Sequence, residues 1–398
     1  MIAGIALACA VIAAILGIFP ASLQARPADS PPQMAWSKVY DWGYYDYGSS
    51  VIQTRDSGFA VTGGISPAYK GDRNAFLLKT DGNGNQLWKK SYGGDRFDYG
   101  YSVIEPADGG YTIAGTTESY GNGSGDVYLV RTDPAGNPLW EKTFGGPGYD
   151  EGRALLQTAD GGYLIAGMTE SFGNGSSDVY LIKTNARGDM EWDRAYGGPF
   201  NDLALSIQPV SDGGYIIAGS YGATANSSTA YLLKIDAGGH WQWDQKLSGY
   251  TDSVAYFARQ TADSGFIAAG YDNLRSGSSK VCLYKLDAEG DLQWQKAIAV
   301  NKAQKGYNVY QTAKGGYLIA GMAEVTDKTD QSMRYESLLI KTDPAGEVEW
   351  QQTYGADRAV FTRAGAITGD GDLVIVGSIG SPGDVETWDV YLAKFTGI

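Results

Sequence analysis

The chain offers few residues able to do covalent chemistry. It has a single histidine, His240, and two cysteines, Cys9 and Cys282. A Ser-His-Asp triad would have to run through His240, and a centre with several histidine ligands is excluded. His240 lies in Gly238-Gly239-His240-Trp241, which reads as a turn. Two distant cysteines rule out a zinc ribbon, a CxxC redox site and a disulfide scaffold. Cys282 reads as a small buried apolar residue. The acidic residues are more promising. Asp46, Asp98, Asp150 and Asp202 each stand thirteen residues before a recurring aromatic or apolar position, where later segments carry Ser253, Gln304 and Val360. Such a set could gather carboxylates around a cation or a polyol, since hard cations take oxygen ligands. It could equally cap turns, as aspartates commonly do. Asp81-Gly82-Asn83-Gly84-Asn85 opens like a calcium loop, but Tyr92 stands where the twelfth-position glutamate belongs. The expectation is therefore no catalytic set, no metal-ligand set and no cofactor, with the four aspartates as candidate ligand-binding residues.

What must position these residues is a repeat. A turn-closing residue recurs at Phe59, Tyr111, Tyr163, Tyr215, Phe266, Tyr317 and Leu373, with spacings of 52, 52, 52, 51, 51 and 56. Tryptophan recurs at Trp36, Trp88, Trp140, Trp192, Trp243, Trp294 and Trp350. Glycine, Asn and Asp clusters cut each unit into four short β-branched and aromatic runs, so each unit predicts four strands, a to d. The 56 glycines among 398 residues are then blade corners rather than low complexity. Gly63, Gly115 and Gly167 end strand b, where glycine predicts a close backbone approach or an overlying ring. A basic residue ends strand c, as in Lys79, Arg131 and Lys183, and reads as a solvated side chain beside a turn-capping Asp.

Seven four-stranded units of about 50 residues predict an all-β, seven-bladed β-propeller of antiparallel blades. The first tryptophan precedes any a, b or c strand, and the last a-b-c set has no tryptophan strand after it. Residues 34–41 should therefore supply strand d of the last blade and close the ring, leaving no open edge. The expected domains are a signal peptide or membrane anchor at 1–25, a Pro-rich spacer at 26–33 and the propeller at 34–398. The uncharged run Ile2 to Phe19 carries the first of these, as a cleaved export signal or a membrane tether.

The DGGY segment Asp108-Gly109-Gly110-Tyr111, the AGxTxS segment Ala114 to Ser119 and the TDxxGxxxW segment Thr132 to Trp140 resemble exported bacterial and archaeal β-propeller repeat proteins. Asp133 to Trp140 also resembles the tryptophan-docking motif of quinoprotein (PQQ-type) propellers, one residue shorter between Asp and Gly. The resemblance covers essentially all of residues 34–398. It implies an extracytoplasmic propeller whose relatives include surface and adhesion modules, assembly scaffolds and redox enzymes, and a fold does not fix chemistry. Thr158-Ala159-Asp160-Gly161-Gly162-Tyr163 partly matches the Asp-box of sialidases, but it falls in an a-to-b turn.

Lys plus Arg number 31 against 45 Asp plus Glu, a net charge of −14, which disfavours nucleic acid and anionic membrane surfaces as partners. The a-to-b and c-to-d turns are near copies of one another, whereas the b-to-c loops diverge, and divergent loops on a regular scaffold are where specificity is placed. The sequence thus points to a monomeric, exported or cell-surface, non-catalytic module. It would offer a variable acidic face to a protein or glycan partner. The alternatives are a quinoprotein oxidoreductase or a glycan-active hydrolase or lyase.

Overall fold

The computed structural model describes residues 30–66, 72–247, 252–273, 278–298, 303–326, 331–355, 358–380 and 387–398. The expected signal or anchor at 1–25, and most of the spacer, lie outside them. Among the described residues no helix is long and apolar enough to cross a membrane. The described residues are all-β, with 28 strands among them, the number that seven units of four require. They form five four-stranded sheets and one of eight strands. Strands within the four-stranded sheets run antiparallel in sequence order, as in Asp150–Gln157 (a), Tyr163–Thr169 (b), Asp178–Thr184 (c) and Met190–Tyr196 (d).

Burial explains why these runs become strands. Strand Asp178–Thr184 is buried on both faces, while the outer strand Met190–Tyr196 is exposed or half-buried along its whole length. Strands b and c are covered by the neighbouring sheets, so their apolar runs are nearly continuous. Leu181 and Leu233 lie in one cluster spanning two sheets. Each such side chain contributes about 1.5–3 kcal/mol by leaving water.

The repeated residues join one sheet to the next. Trp140, on strand d of one sheet, meets Tyr163 of the following sheet edge-on, with centroids 6.0 Å apart. Its indole also lies over Gly188, whose φ is +77° and where a Cβ would stand 2.7 Å from the ring. Trp36 and Gly84, Trp88 and Gly136, and Trp294 and Gly346 repeat the contact. The docking motif is thus a joint between sheets.

One repeated residue departs from expectation. The basic residue ending strand c is buried in five units and half-buried in the other two, not solvated. Lys183 is 7% exposed and bonds Asp160 at 2.8 Å and the Thr184 carbonyl at 2.9 Å. Its partner is the Asp of the a-to-b turn 23 residues earlier, not the residue two positions on. Lys79–Asp56, Arg131–Asp108, Lys234–Asp212, Lys285–Asp263 and Lys394–Asp370 repeat it. Where Lys314 replaces that Asp, Lys341 pairs with Glu349 instead. Bonds from Lys183 and Thr158 hold the Asp160 carboxyl down to about 2.

The eight-stranded sheet contains both ends of the described chain. The N-terminal strand Gln33–Tyr40 runs antiparallel to Trp388–Thr396, completing a set begun by Ala359–Ile367 and Leu373–Gly380. One parallel pair, Tyr45 with Trp388, links this set to Tyr45–Gln53 and its three partners. Strand Tyr45–Gln53 also lies against Ala359–Ile367 and Leu373–Gly380, as other first strands lie against the preceding sheet.

Candidate functional site

The four sequence-selected aspartates lie at or beside the starts of first strands and are fully buried. Each accepts, through Oδ2, the backbone N–H four residues earlier: Trp42 for Asp46 at 2.8 Å, Gly94 for Asp98 at 2.8 Å, Gly146 for Asp150 at 2.7 Å and Gly198 for Asp202 at 2.6 Å. Ser119 and Thr117 also donate to Asp98, and Ser171 to Asp150. The carboxylates therefore clasp d-to-a corners in separate sheets, and any ligand reaching them must be ion-sized. Asp81 likewise clasps its own turn, accepting the N–H groups of Asn83 and Asn85.

Strand c supplies a second acid series that sequence inspection did not connect with the first. Asp126 begins strand c beside Asp150 of the next sheet, and Asp178 stands likewise beside Asp202. A Cβ at Gly145 would lie 2.5 Å from Asp126 Oδ1 and 2.5 Å from Asp150 Oδ2. Burial, and then the neighbouring carboxylate, raise the Asp126 and Asp202 pKa values against the hydrogen bonds that lower them.

The main concavity is elsewhere. First strands from all the sheets line a central cavity of 790 Å3. Among the described residues, seven of these strands carry a β-bulge, marked by register shifts at Gly48/Ser50, Gly100/Ser102, Gly152/Ala154, Ala204/Ser206, Ala255/Phe257, Gly306/Asn308 and Thr362/Ala364. The extra residues are Ser49, Tyr101, Arg153, Leu205, Tyr256, Tyr307 and Arg363, and every one lines the cavity. A bulge leaves one residue outside the ladder and re-aims its side chain. The strand-b glycines exist for the same bulge: a Cβ at Gly167 would stand 1.7 Å from the Glu151 carbonyl oxygen. Close backbone approach, one of the two expected explanations, is the one observed.

The bulge residues give the cavity its chemistry. Tyr256 and Tyr307 rings lie 4.6 Å apart, and the Arg153 guanidinium sits 4.1 Å from the Tyr101 ring centroid. Arg153 Nε also pairs with Glu151 at 2.7 Å. Arg363 makes no ion pair among the described residues and is exposed to the cavity. Beside it is a smaller pocket of 300 Å3, lined by Lys305, Tyr307, Tyr335, Phe361 and Arg363 among others. Lys305 sits 4.7 Å from the Tyr271 ring centroid. Burial, then the Arg363 charge, lower its pKa from the usual lysine value, against a raising effect of Asp252. No Asp or Glu lines either cavity among the described residues. Among the described residues the concavity is therefore cationic and aromatic, while Asp46, Asp98, Asp150 and Asp202 lie apart from it at the corners. The bulge position was missed because it does not repeat in type. Its signal was a variable residue ten positions before the turn-closing residue, next to Gly, Ala or Thr.

Of the other sequence candidates, His240 stays at a corner and Cys282 lies within strand Ser279–Leu286. His240 Nδ1 lies 3.1 Å from Asp236 in an exposed turn. Cys282 is buried as expected, yet its thiol also donates to Asp272 at 2.9 Å. Of the divergent loops, 67–71, 327–330 and 381–386 fall outside the described residues. In the loop from Thr117 to Gly125, Tyr120 donates to the Gly93 carbonyl and Ser119 to Asp98, so this loop folds back on a sheet junction.

No family model matches the chain. Regulatory protein FlaEY of Caulobacter vibrioides is 25% identical over 259 residues, 56% of this chain, and the match spans 27% of that protein's length. Among solved structures, puromycin hydrolase is similar with a TM-score of 0.50 at 14% identity, over 87% of this chain and 51% of that one. NanB sialidase from Streptococcus pneumoniae gives 0.49 at 10% identity, over 95% and 73%. The likeness to puromycin hydrolase shows a propeller-like fold alone.

Proposed function

We propose that the chain is a closed, seven-bladed propeller, exported or held at the cell surface, that binds an acidic glycan without transforming it. Closure is supported by the antiparallel pairing of Gln33–Tyr40 with Trp388–Thr396 and by contact of strand Tyr45–Gln53 with the last sheet. Export rests on the apolar run from Ile2 to Phe19. The observation that carries binding is the place where the two cavities adjoin: Arg363 of the bulge ring and Lys305 of the smaller pocket stand among tyrosines, with no ion pair and no lining acid among the described residues. An anionic group would sit between these cations, with sugar faces against Tyr307 and Tyr256. Glycoside hydrolysis ordinarily requires two carboxyl groups across the scissile bond, and the cavity linings supply none among the described residues. An acidic protein segment is the second reading of the same cations.

Purified full-length protein on a glycan panel should bind uronate-, sulfate- or sialate-bearing chains and not their neutral counterparts. Arg363→Ala should weaken that binding at least about tenfold, which is about 1.4 kcal/mol. Equal binding of neutral and acidic chains, or indifference to Arg363→Ala, refutes the reading. Quinone-dependent dye reduction, or cleavage of a bound glycan, would replace it with one of the enzymatic alternatives.

A further inference from the structure

The seam between the chain's first and last described strands carries a group of three acids that, among the described residues, no other junction repeats. Asp41 follows strand Gln33–Tyr40, Asp46 lies in Tyr45–Gln53 and Asp389 in Trp388–Thr396. One carboxylate oxygen from each lies within 4.8 Å of the other two. Asp389 with Asp46 repeats the Asp126–Asp150 and Asp178–Asp202 arrangement. Asp41 is the addition: it stands five residues before Asp46, where the equivalent corners carry Gly93, Gly145 and Gly197.

A second observation concerns Asp46 itself. Its side chain is fully buried, Oδ2 accepts the Trp42 N–H, and Oδ1 has no hydrogen-bond partner among the described residues. An ionised oxygen left thus is costly unless a cation meets it. The side-chain cations nearby do not fill that role. Arg358 stands 3.5 Å from Asp389 Oδ2, and Lys89 places its ammonium 4.4 Å from the Trp42 ring centroid without pairing to Asp46. Oxygens up to about 4.8 Å apart can share one calcium ion, whose oxygen ligands lie at about 2.3–2.6 Å.

We propose that Asp41, Asp46 and Asp389 bind one calcium ion at this seam. Three carboxylates supply the hard oxygen ligands, and water completes the shell on the exposed Asp41 side. The ion ties the N-terminal strand, through Asp41, to the C-terminal strand, through Asp389.

The test is calcium titration of chelator-stripped, full-length protein by calorimetry, with terbium as a luminescent substitute excited through Trp42 and Trp388. One calcium-competed site is expected to involve all three carboxylates. Asp46→Asn and Asp41→Asn should each weaken that site at least about tenfold. Asp41 is exposed, so its variant keeps the test sound if Asp46→Asn fails to fold. Asp126→Asn should leave the site unchanged. Absence of saturable uptake up to about 10 mM calcium overturns the proposal. So does uptake unaffected by Asp41→Asn, or uptake lost in Asp126→Asn instead.

Discussion

Trp140 stands edge-on to Tyr163 across a sheet junction, at 66° between ring planes, and its indole roofs Gly188 of the same neighbouring sheet. The two recurring aromatic series are therefore two halves of one contact. Trp140→Ala should destabilise the protein by about 2–4 kcal/mol through lost packing. Gly188→Ala should cost about 1–2 kcal/mol, because alanine there must hold a left-handed φ and push against the indole. Midpoints in denaturant titrations at constant slope read both.

Acid should unfold the protein over a defined window. The Asp160 carboxyl falls from 3.8 to about 2 on folding, and Asp56 and Asp370 do the same. A lowered carboxylate pKa gives stability that is present above the unfolded value and lost as pH falls through the folded one. Thermal midpoints should thus drop between about pH 4 and pH 2. Asp160→Asn should lower the midpoint at pH 7 and make little difference at pH 2.

Two glycine substitutions should separate close approach from backbone conformation. At Gly167 a Cβ would collide with the Glu151 carbonyl, so Gly167→Ala must displace the bulge carrying Arg153. A loss of about 2–4 kcal/mol is expected, together with weaker glycan binding. Gly213 has φ +86° and nothing within 4 Å of its Cβ position, so Gly213→Ala should cost only about 1 kcal/mol and leave binding intact. Denaturation and binding measured on the same preparations distinguish the two.

Anion binding should weaken on the alkaline side earlier than an ordinary lysine would dictate. Lys305 is held below its usual pKa chiefly by burial and then by Arg363, so rising pH removes its charge sooner. The protonated form attracts the ligand, so affinity should decline with rising pH before the usual lysine pKa is reached. Lys305→Met should flatten that decline, as read by affinity against pH at fixed ionic strength.

The legible part of the molecule is what the repeat copies. Trp140, Tyr163 and Gly167 recur at fixed offsets because every junction needs the same joint, and periodicity alone located them. Lys183 was misread because its ion partner lies 23 residues upstream, across two strands whose pairing periodicity does not supply. The bulge residues were hidden for the opposite reason: Ser49, Tyr101 and Arg153 share a place and no chemistry, so a search for repetition passes over them. Asp41, Asp46 and Asp389 meet only because the chain's two described ends pair, and 343 residues separate Asp46 from Asp389.

The pairing of Gln33–Tyr40 with Trp388–Thr396 also has a mechanical side. Gln33 sits beside Thr396, at the end of the strands opposite the d-to-a corners where Asp46 lies. Tension between residue 33 and a ligand gripped near those corners would run along the strand. Ladder hydrogen bonds lie across that direction, so the seven register pairs would carry the load together in shear rather than unzip one after another. A protein hung from its N-terminal side would thus resist extraction best when pulled along its own axis.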